Sequence, residues 1–108
     1  YLLSALDETE RLLQRYQKLD GGVRFEVIAN AGGIKLLRAT DHSPYAKRVR
    51  ELQERYKNLT FLVCRNTLNL LEERGNGQVV LVPGVESGSS ALEHVMKRLQ
   101  EGWAYVKI

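Results

Sequence analysis

The sequence predicts an α/β fold: a mostly parallel sheet of four to five strands with helices on each side. Three observations carry this. Strand-like and helix-like segments alternate from end to end of the 108 residues. The strand-like segments are short and show little polar alternation, as strands buried on both faces do. The helix-like segments carry their apolar residues on one side. A chain of 108 residues makes one domain, and 44% hydrophobic against 27% charged residues is enough apolar side chain to offset the entropy of ordering.

In order along the chain, Leu2, Leu3, Leu6, Leu12, Leu13, Tyr16 and Leu19 recur at helical spacing, and Asp20-Gly21-Gly22 stops that helix. A short strand over residues 1–5, with Asp7 capping a shorter helix, fits the same pattern. Residues 23–29 (V-R-F-E-V-I-A) read as a buried strand. The turn Asn30-Ala31-Gly32-Gly33 leads to a short helix through Ile34, Leu36 and Leu37. Ser43 and Pro44 fit the N-cap and first position of a helix whose inner stripe is Ala46, Val49, Leu52 and Tyr56. Residues 60–64 (T-F-L-V-C) are a second apolar strand. Asn66 can cap a helix through Leu68, Leu71 and Glu73, ended by Gly75-Asn76-Gly77. Residues 78–82 read as a third strand closed by Pro83-Gly84. Ser89 or Ser90 caps a last helix with Leu92, Val95, Met96 and Leu99 on its core face. Gly102 ends it, and residues 103–108 read as a final strand.

Composition excludes several function classes. The longest apolar runs are far short of the roughly 20 residues that span a bilayer, so no membrane partner is expected. One cysteine rules out an internal disulfide framework, and with two histidines it leaves no metal-ligand spacing; no metal and no cofactor are expected. A net charge of +3 is too weak to argue for nucleic acid. The basic run Lys47, Arg48, Arg50, Arg55, Lys57 is interrupted by Glu51 and Glu54, and reads as a solvated helix face with local ion pairs. The chain opens at Tyr1 without a signal-peptide pattern. A lone thiol fits a reducing cytoplasm, and a removed leader would instead place the protein in the periplasm.

Ligands of parallel sheets sit beyond the carboxyl ends of the strands. Residues 30–33, 64–67 and 83–90 all follow strands and can share one rim. Cys64 stands out among them, because it ends an apolar strand just before a helix. Free N–H groups and the positive end of the helix dipole converge there, which favours the thiolate. Arg65 adds a neighbouring positive charge, and Asn66 and Thr67 bring polar hydrogens. Such a thiol suits nucleophilic attack or the carriage of a persulfide sulfur. The structural alternative is a small buried hydrophobe at a strand end.

The stretches T-F-L-V-C-R-N-T-L, F-E-V-I-A-N-A-G-G-I-K-L-L and L-Q-E-G-W-A-Y-V-K-I, in this order and spacing, resemble the DsrE/DsrF-like (YchN-like) family over nearly the whole chain. Its members typically show E-V-V-A-(H/N)-G-x-G, then C-x-N-(S/T)-L, then Q-x-G-(W/Y)-A-Y-I-K. The resemblance implies a three-layer α/β/α sandwich that assembles as trimers or hexamers. It also implies, from the DsrE and TusD subunits of sulfur-relay complexes, persulfide carriage on the cysteine matching Cys64, with a partner sulfur-transfer protein. Asn30-Ala31-Gly32-Gly33 falls on the family's glycine loop. Asn30 stands where many relatives have histidine and Ala31 where they have glycine, so an imidazole role is not carried over. By the same comparison Tyr1 lies inside the first helix, and a strand that relatives place before it is absent from this chain.

Two function classes follow. In the first, Cys64 accepts and passes persulfide sulfur by sulfurtransferase-type thiol exchange. Asn66, Thr67 and nearby N–H groups stabilise the thiolate, and Asn30, Gly32 and Gly33 form the pocket where another backbone can approach. In the second, the rim of an oligomeric, non-catalytic module holds a small anion or metabolite and Cys64 only packs. Gly32-Gly33 with Lys35 and Arg38 behind is a weak anion signal, and a tight turn explains it as well. A small hydrolase or isomerase lacks a paired acid and base near Cys64. His42 reads as solvated in a polar turn, and His94 as a helix-flanking residue within reach of Glu93 or Glu101. Trp103 and Tyr105 alternate on the final strand, against the core or a second subunit.

Overall fold

A computed structural model describes residues 2–16, 23–39, 43–75 and 79–105. Helix α1 (Leu2–Tyr16) leads to strand β1 (Phe25–Ala29) and a 3-10 helix (Ala31–Leu37). Helix α2 (Ala46–Arg55), strand β2 (Leu59–Val63), helix α3 (Arg65–Gly75) and helix α4 (Ala91–Gln100) follow. The two strands pair in parallel, in register from Phe25 opposite Leu59 to Ala29 opposite Val63. The 3-10 helix and α2 form the crossover between them, as a parallel pair requires. No described helix is long and apolar enough to cross a membrane.

Period-2 alternation gives the sheet two unlike faces. Phe25, Val27 and Ala29 of β1, with Leu59, Phe61 and Val63 of β2, belong to the main core. That core is closed by Leu6 and Leu13 of α1, Leu37 of the 3-10 helix, and Val49 and Leu52 of α2. Leu6, Thr9 and Leu13 share one side of α1, and the Thr9 hydroxyl bonds the Ala5 carbonyl at 2.8 Å, so a polar group is buried without being orphaned. On the other face, Ile28 and Leu62 line a cavity together with Ala91 and His94 of α4.

The chain starts as a helix over residues 2–5 rather than as a short strand. Helix α2 starts two residues later than expected, with Tyr45 rather than Ser43 at its N-cap; Ser43 still supports the turn that leads into it, its Oγ accepting from the Tyr45 and Ala46 N–H groups at 3.2 and 3.3 Å. Ser90 Oγ accepts from the Glu93 N–H and opens α4. Gly102, at φ +96°, closes it: the Gly102 and Trp103 N–H groups bond the Leu99 and Arg98 carbonyls. Gly84, at φ +89°, makes the turn after Pro83.

Several expectations are corrected. Among the described residues two strands pair; the segment around Leu81 makes only an isolated antiparallel bridge to Arg38, and residues 103–105 are not in a strand. A second isolated bridge sets Glu86 parallel to Leu62. The helix after β2 begins at Arg65, with the Cys64 carbonyl accepting its first bond from Leu68, so Asn66 lies inside the helix instead of capping it. Leu92, Met96 and Leu99 do not face the core: they are 75%, 53% and 46% exposed, and α4 buries none of its residues. The basic run on α2 is not locally paired. Arg48 and Arg55 both reach across to Glu10 of α1, which also accepts from the Tyr56 hydroxyl. Residues 17–22, 40–42, 76–78 and 106–108, with His42, the glycines 21, 22 and 77 and parts of the expected third and final strands, lie outside the described residues.

Candidate functional site

Because β1 and β2 are parallel and in register, the residues that follow them emerge side by side. Asn30 follows β1 and Cys64 follows β2, tied by the Cys64 N–H to the Ala29 carbonyl at 2.9 Å. Helix α3 starts at once, so Cys64 stands at its mouth with Asn66 and Thr67 in its first turn. A third segment arrives from the far side: the Arg65 N–H bonds the Ser89 carbonyl at 2.9 Å, and the Ala91 N–H, first in α4, points at Cys64 Sγ at 3.3 Å. The sulfur therefore lies between the N-termini of two helices, both of which favour negative charge.

Cys64 is buried, 5% exposed. Burial works against its charged form. The Ala91 N–H, the Thr67 N–H and hydroxyl, and the Asn66 N–H outweigh it, and the thiol is held below its ordinary value. The Thr67 hydroxyl also lies 2.8 Å from Asn30 Oδ1. With one hydrogen it can serve the sulfur or the amide, one at a time. Half a turn of the Asn30 amide would let its NH2 donate to Thr67 and leave the hydroxyl hydrogen for Cys64.

Asn30, Cys64 and Thr67 thus lie together, and Asn66 joins them through its N–H alone, its side chain being exposed. Arg65 is adjacent in sequence, but its side chain is exposed, and the chief groups lowering the thiol are hydrogen-bond donors instead. Gly32 and Gly33 lie in the 3-10 helix, and the Gly33 N–H bonds the Asn30 carbonyl. A methyl group on Gly33 would meet Ala29 Cβ at 3.9 Å, an ordinary contact, so packing within the chain does not demand glycine there.

Sequence reasoning missed a second cluster. Glu26 is the second residue of β1, on the face turned to α4. Its Oε1 accepts from Arg98 Nε at 2.9 Å and meets His94 Nε2 at 2.8 Å; its Oε2 accepts from Arg98 Nη2 at 2.9 Å. His94 is paired with Glu26, not with Glu93 or Glu101. Burial raises Glu26, but its bonds to Arg98 and His94 outweigh that and hold the carboxyl below its usual range. Arg98 also lies over the Trp103 ring, 4.8 Å from its centroid. The available signal was an ionisable residue inside an otherwise apolar strand. A cavity of about 240 Å³ runs beside the cluster, between Ile28 and Leu62 on the sheet and Ala91, His94 and Lys97 on α4; Cys64 does not line it.

No protein-family model matches the chain, and no curated protein matches it. Among solved structures it is similar to a protein of unknown function, MTH1491, from Methanobacterium thermoautotrophicum. The TM-score is 0.76 and the identity 32%, over 99% of this chain and 86% of that one. At that identity and coverage, the chain belongs to the same family as MTH1491 of Methanobacterium thermoautotrophicum.

Proposed function

We propose that this protein is a sulfur carrier of the DsrE/DsrF-like kind, with Cys64 as the carrying thiol. The observation that supports the reading is the position of Sγ between two helix N-termini, with the Ala91 N–H at 3.3 Å. In the step proposed, the Cys64 thiolate attacks the outer sulfur of a donor persulfide. The new Sγ–S bond forms as the donor's S–S bond breaks, the donor leaves as a thiolate, and the outer sulfur keeps its proton. A partner thiolate then attacks that outer sulfur, and Cys64 is released as a thiolate. No net oxidation occurs. Donated N–H groups stabilise Cys64 both as nucleophile and as leaving group.

The wider reading belongs with it: a three-layer α/β/α sandwich with four to five strands in the complete sheet, trimeric or hexameric assembly, and a partner sulfur-transfer protein. Incubation with a small persulfide donor followed by mass spectrometry tests it. The expected result is a gain of one sulfur, mapped to Cys64 and absent from Cys64→Ser. A chain that stays unmodified while donor remains in excess would overturn the reading.

The burial of Cys64 and a cavity that it does not line favour a second reading, a binding module in which the thiol only packs. Under that reading Cys64→Ser keeps all cellular thiolation or sulfur-oxidation phenotype; under the first it loses it.

A further inference from the structure

We infer that Glu26 is a positioning residue for Cys64: it anchors α4 to the sheet through His94 and Arg98, and so sets the first N–H of that helix against Sγ. This rests on the reading of Cys64 as the working thiol. Helix α4 buries none of its residues, and its large apolar side chains Leu92, Met96 and Leu99 point outward. Ordinary apolar packing therefore does little to fix its place. The side turned to the sheet is Ala91, His94 and Arg98, spaced three and four residues apart on one helical stripe. Two of these three end on the Glu26 carboxylate, and the third supplies the N–H to sulfur.

Glu26 is suited to an anchor rather than to a ligand site. Both of its oxygens are taken, in a fork-to-fork pair with Arg98 and a bond to His94. Its side chain is 11% exposed, so little water competes for them. Arg24, Lys57 and Glu86, with Arg98, are the other charged groups around the polar hollow beside it. The strand links the two sites rigidly. Glu26 lies three residues before Ala29, whose carbonyl holds the Cys64 N–H. The Arg65 N–H to the Ser89 carbonyl holds the chain just before α4, and the Glu26 anchor holds the helix behind it, so the carboxylate acts on the Ala91 N–H and on the cover over the sulfur together.

The test is the rate of iodoacetamide alkylation of Cys64 against pH, in the wild type, Glu26→Gln and His94→Ala, with thermal melts to confirm that each is folded. Glu26→Gln is expected to move the midpoint upward by about one pH unit, the order for losing one hydrogen bond to a charged group. It is also expected to raise the limiting rate several-fold as the cover loosens. His94→Ala leaves the Arg98 pair in place and gives a smaller shift in the same direction, and it carries the test if Glu26→Gln does not fold. Leu92→Ala, on the outward side of the same helix, leaves the profile unchanged. A folded Glu26→Gln or His94→Ala with the wild-type midpoint and limiting rate overturns the inference and leaves the reading of Cys64 standing. A wild-type midpoint at the ordinary thiol value overturns both.

Discussion

Thr67 is the side chain with the most direct hold on the sulfur. It contributes an N–H and a hydroxyl to Cys64, whereas Asn66 is named only for its N–H. Thr67→Val keeps the shape and the N–H but removes the hydroxyl hydrogen. The Cys64 thiol should then rise towards the free value of about 8.5, by about one unit or less. A Cys64 absorbance titration of the thiolate checks this. An unchanged curve would mean that the hydroxyl serves Asn30 alone, where it already lies at 2.8 Å from Oδ1. Asn30→Ala separates the cases, because it frees the hydroxyl for the sulfur and should lower the thiol further.

At the scale of elements, the helices divide by how they are held, and this decides what a substitution does. Leu13 is 1% exposed in α1 and Leu92 is 75% exposed in α4. Leu13→Ala should therefore destabilise by about 2–5 kcal/mol in urea unfolding, and Leu92→Ala by less than about 0.5 kcal/mol. Equal losses would mean that α4 packs by the side read here as outward. This contrast is also where the sequence was hardest to read. The stripe Leu92, Val95, Met96, Leu99 has the period of a core-facing helix, and period alone assigns it inward. Glu26, on β1, draws His94 and Arg98 to the sheet instead and turns Leu92, Met96 and Leu99 away, with Val95 half-buried. A local pattern cannot register a carboxylate that reaches its partner from 68 residues away in sequence. The βαβ unit was legible for the opposite reason. V-R-F-E-V-I-A, T-F-L-V-C and the Ser43-Pro44 start carry their signals locally, and with them came the meeting of Asn30, Cys64 and Thr67. Ala91 was not legible as a site residue, because it acts through its N–H and any residue except proline carries one.

At the scale of the whole molecule, two carboxylates among the described residues each gather two or more distant side chains around the apolar core. Glu10 joins α1 to α2 through Arg48, Arg55 and Tyr56, and Glu26 joins β1 to α4. Glu10 is held below the usual carboxylate range, first by its bond to Arg48, against some burial, and then by Tyr56 and Arg55. Glu26 is lowered as well, its bonds to Arg98 and His94 exceeding the opposing effect of burial. The sign follows from linkage. A carboxyl with a lower folded than unfolded pKa binds fewer protons when folded, so its contribution is fully present above the unfolded value of about 4.3 and is lost as pH falls through the folded one. Stability should then be level, as far as these two groups decide it, from neutral pH down to about 5, and fall below that. Glu10→Gln should lower Tm at pH 7 by about 4 °C and flatten the acid slope, since the glutamine cannot titrate. Because Glu26 holds only α4, its protonation should uncover Cys64 before the α1–α2 core is lost. Hydrogen exchange followed at successively lower pH would then show the amides of residues 91–100 losing protection ahead of those of residues 46–55. Simultaneous loss in the two helices would mean that α4 is held by the core rather than by its carboxylate anchor.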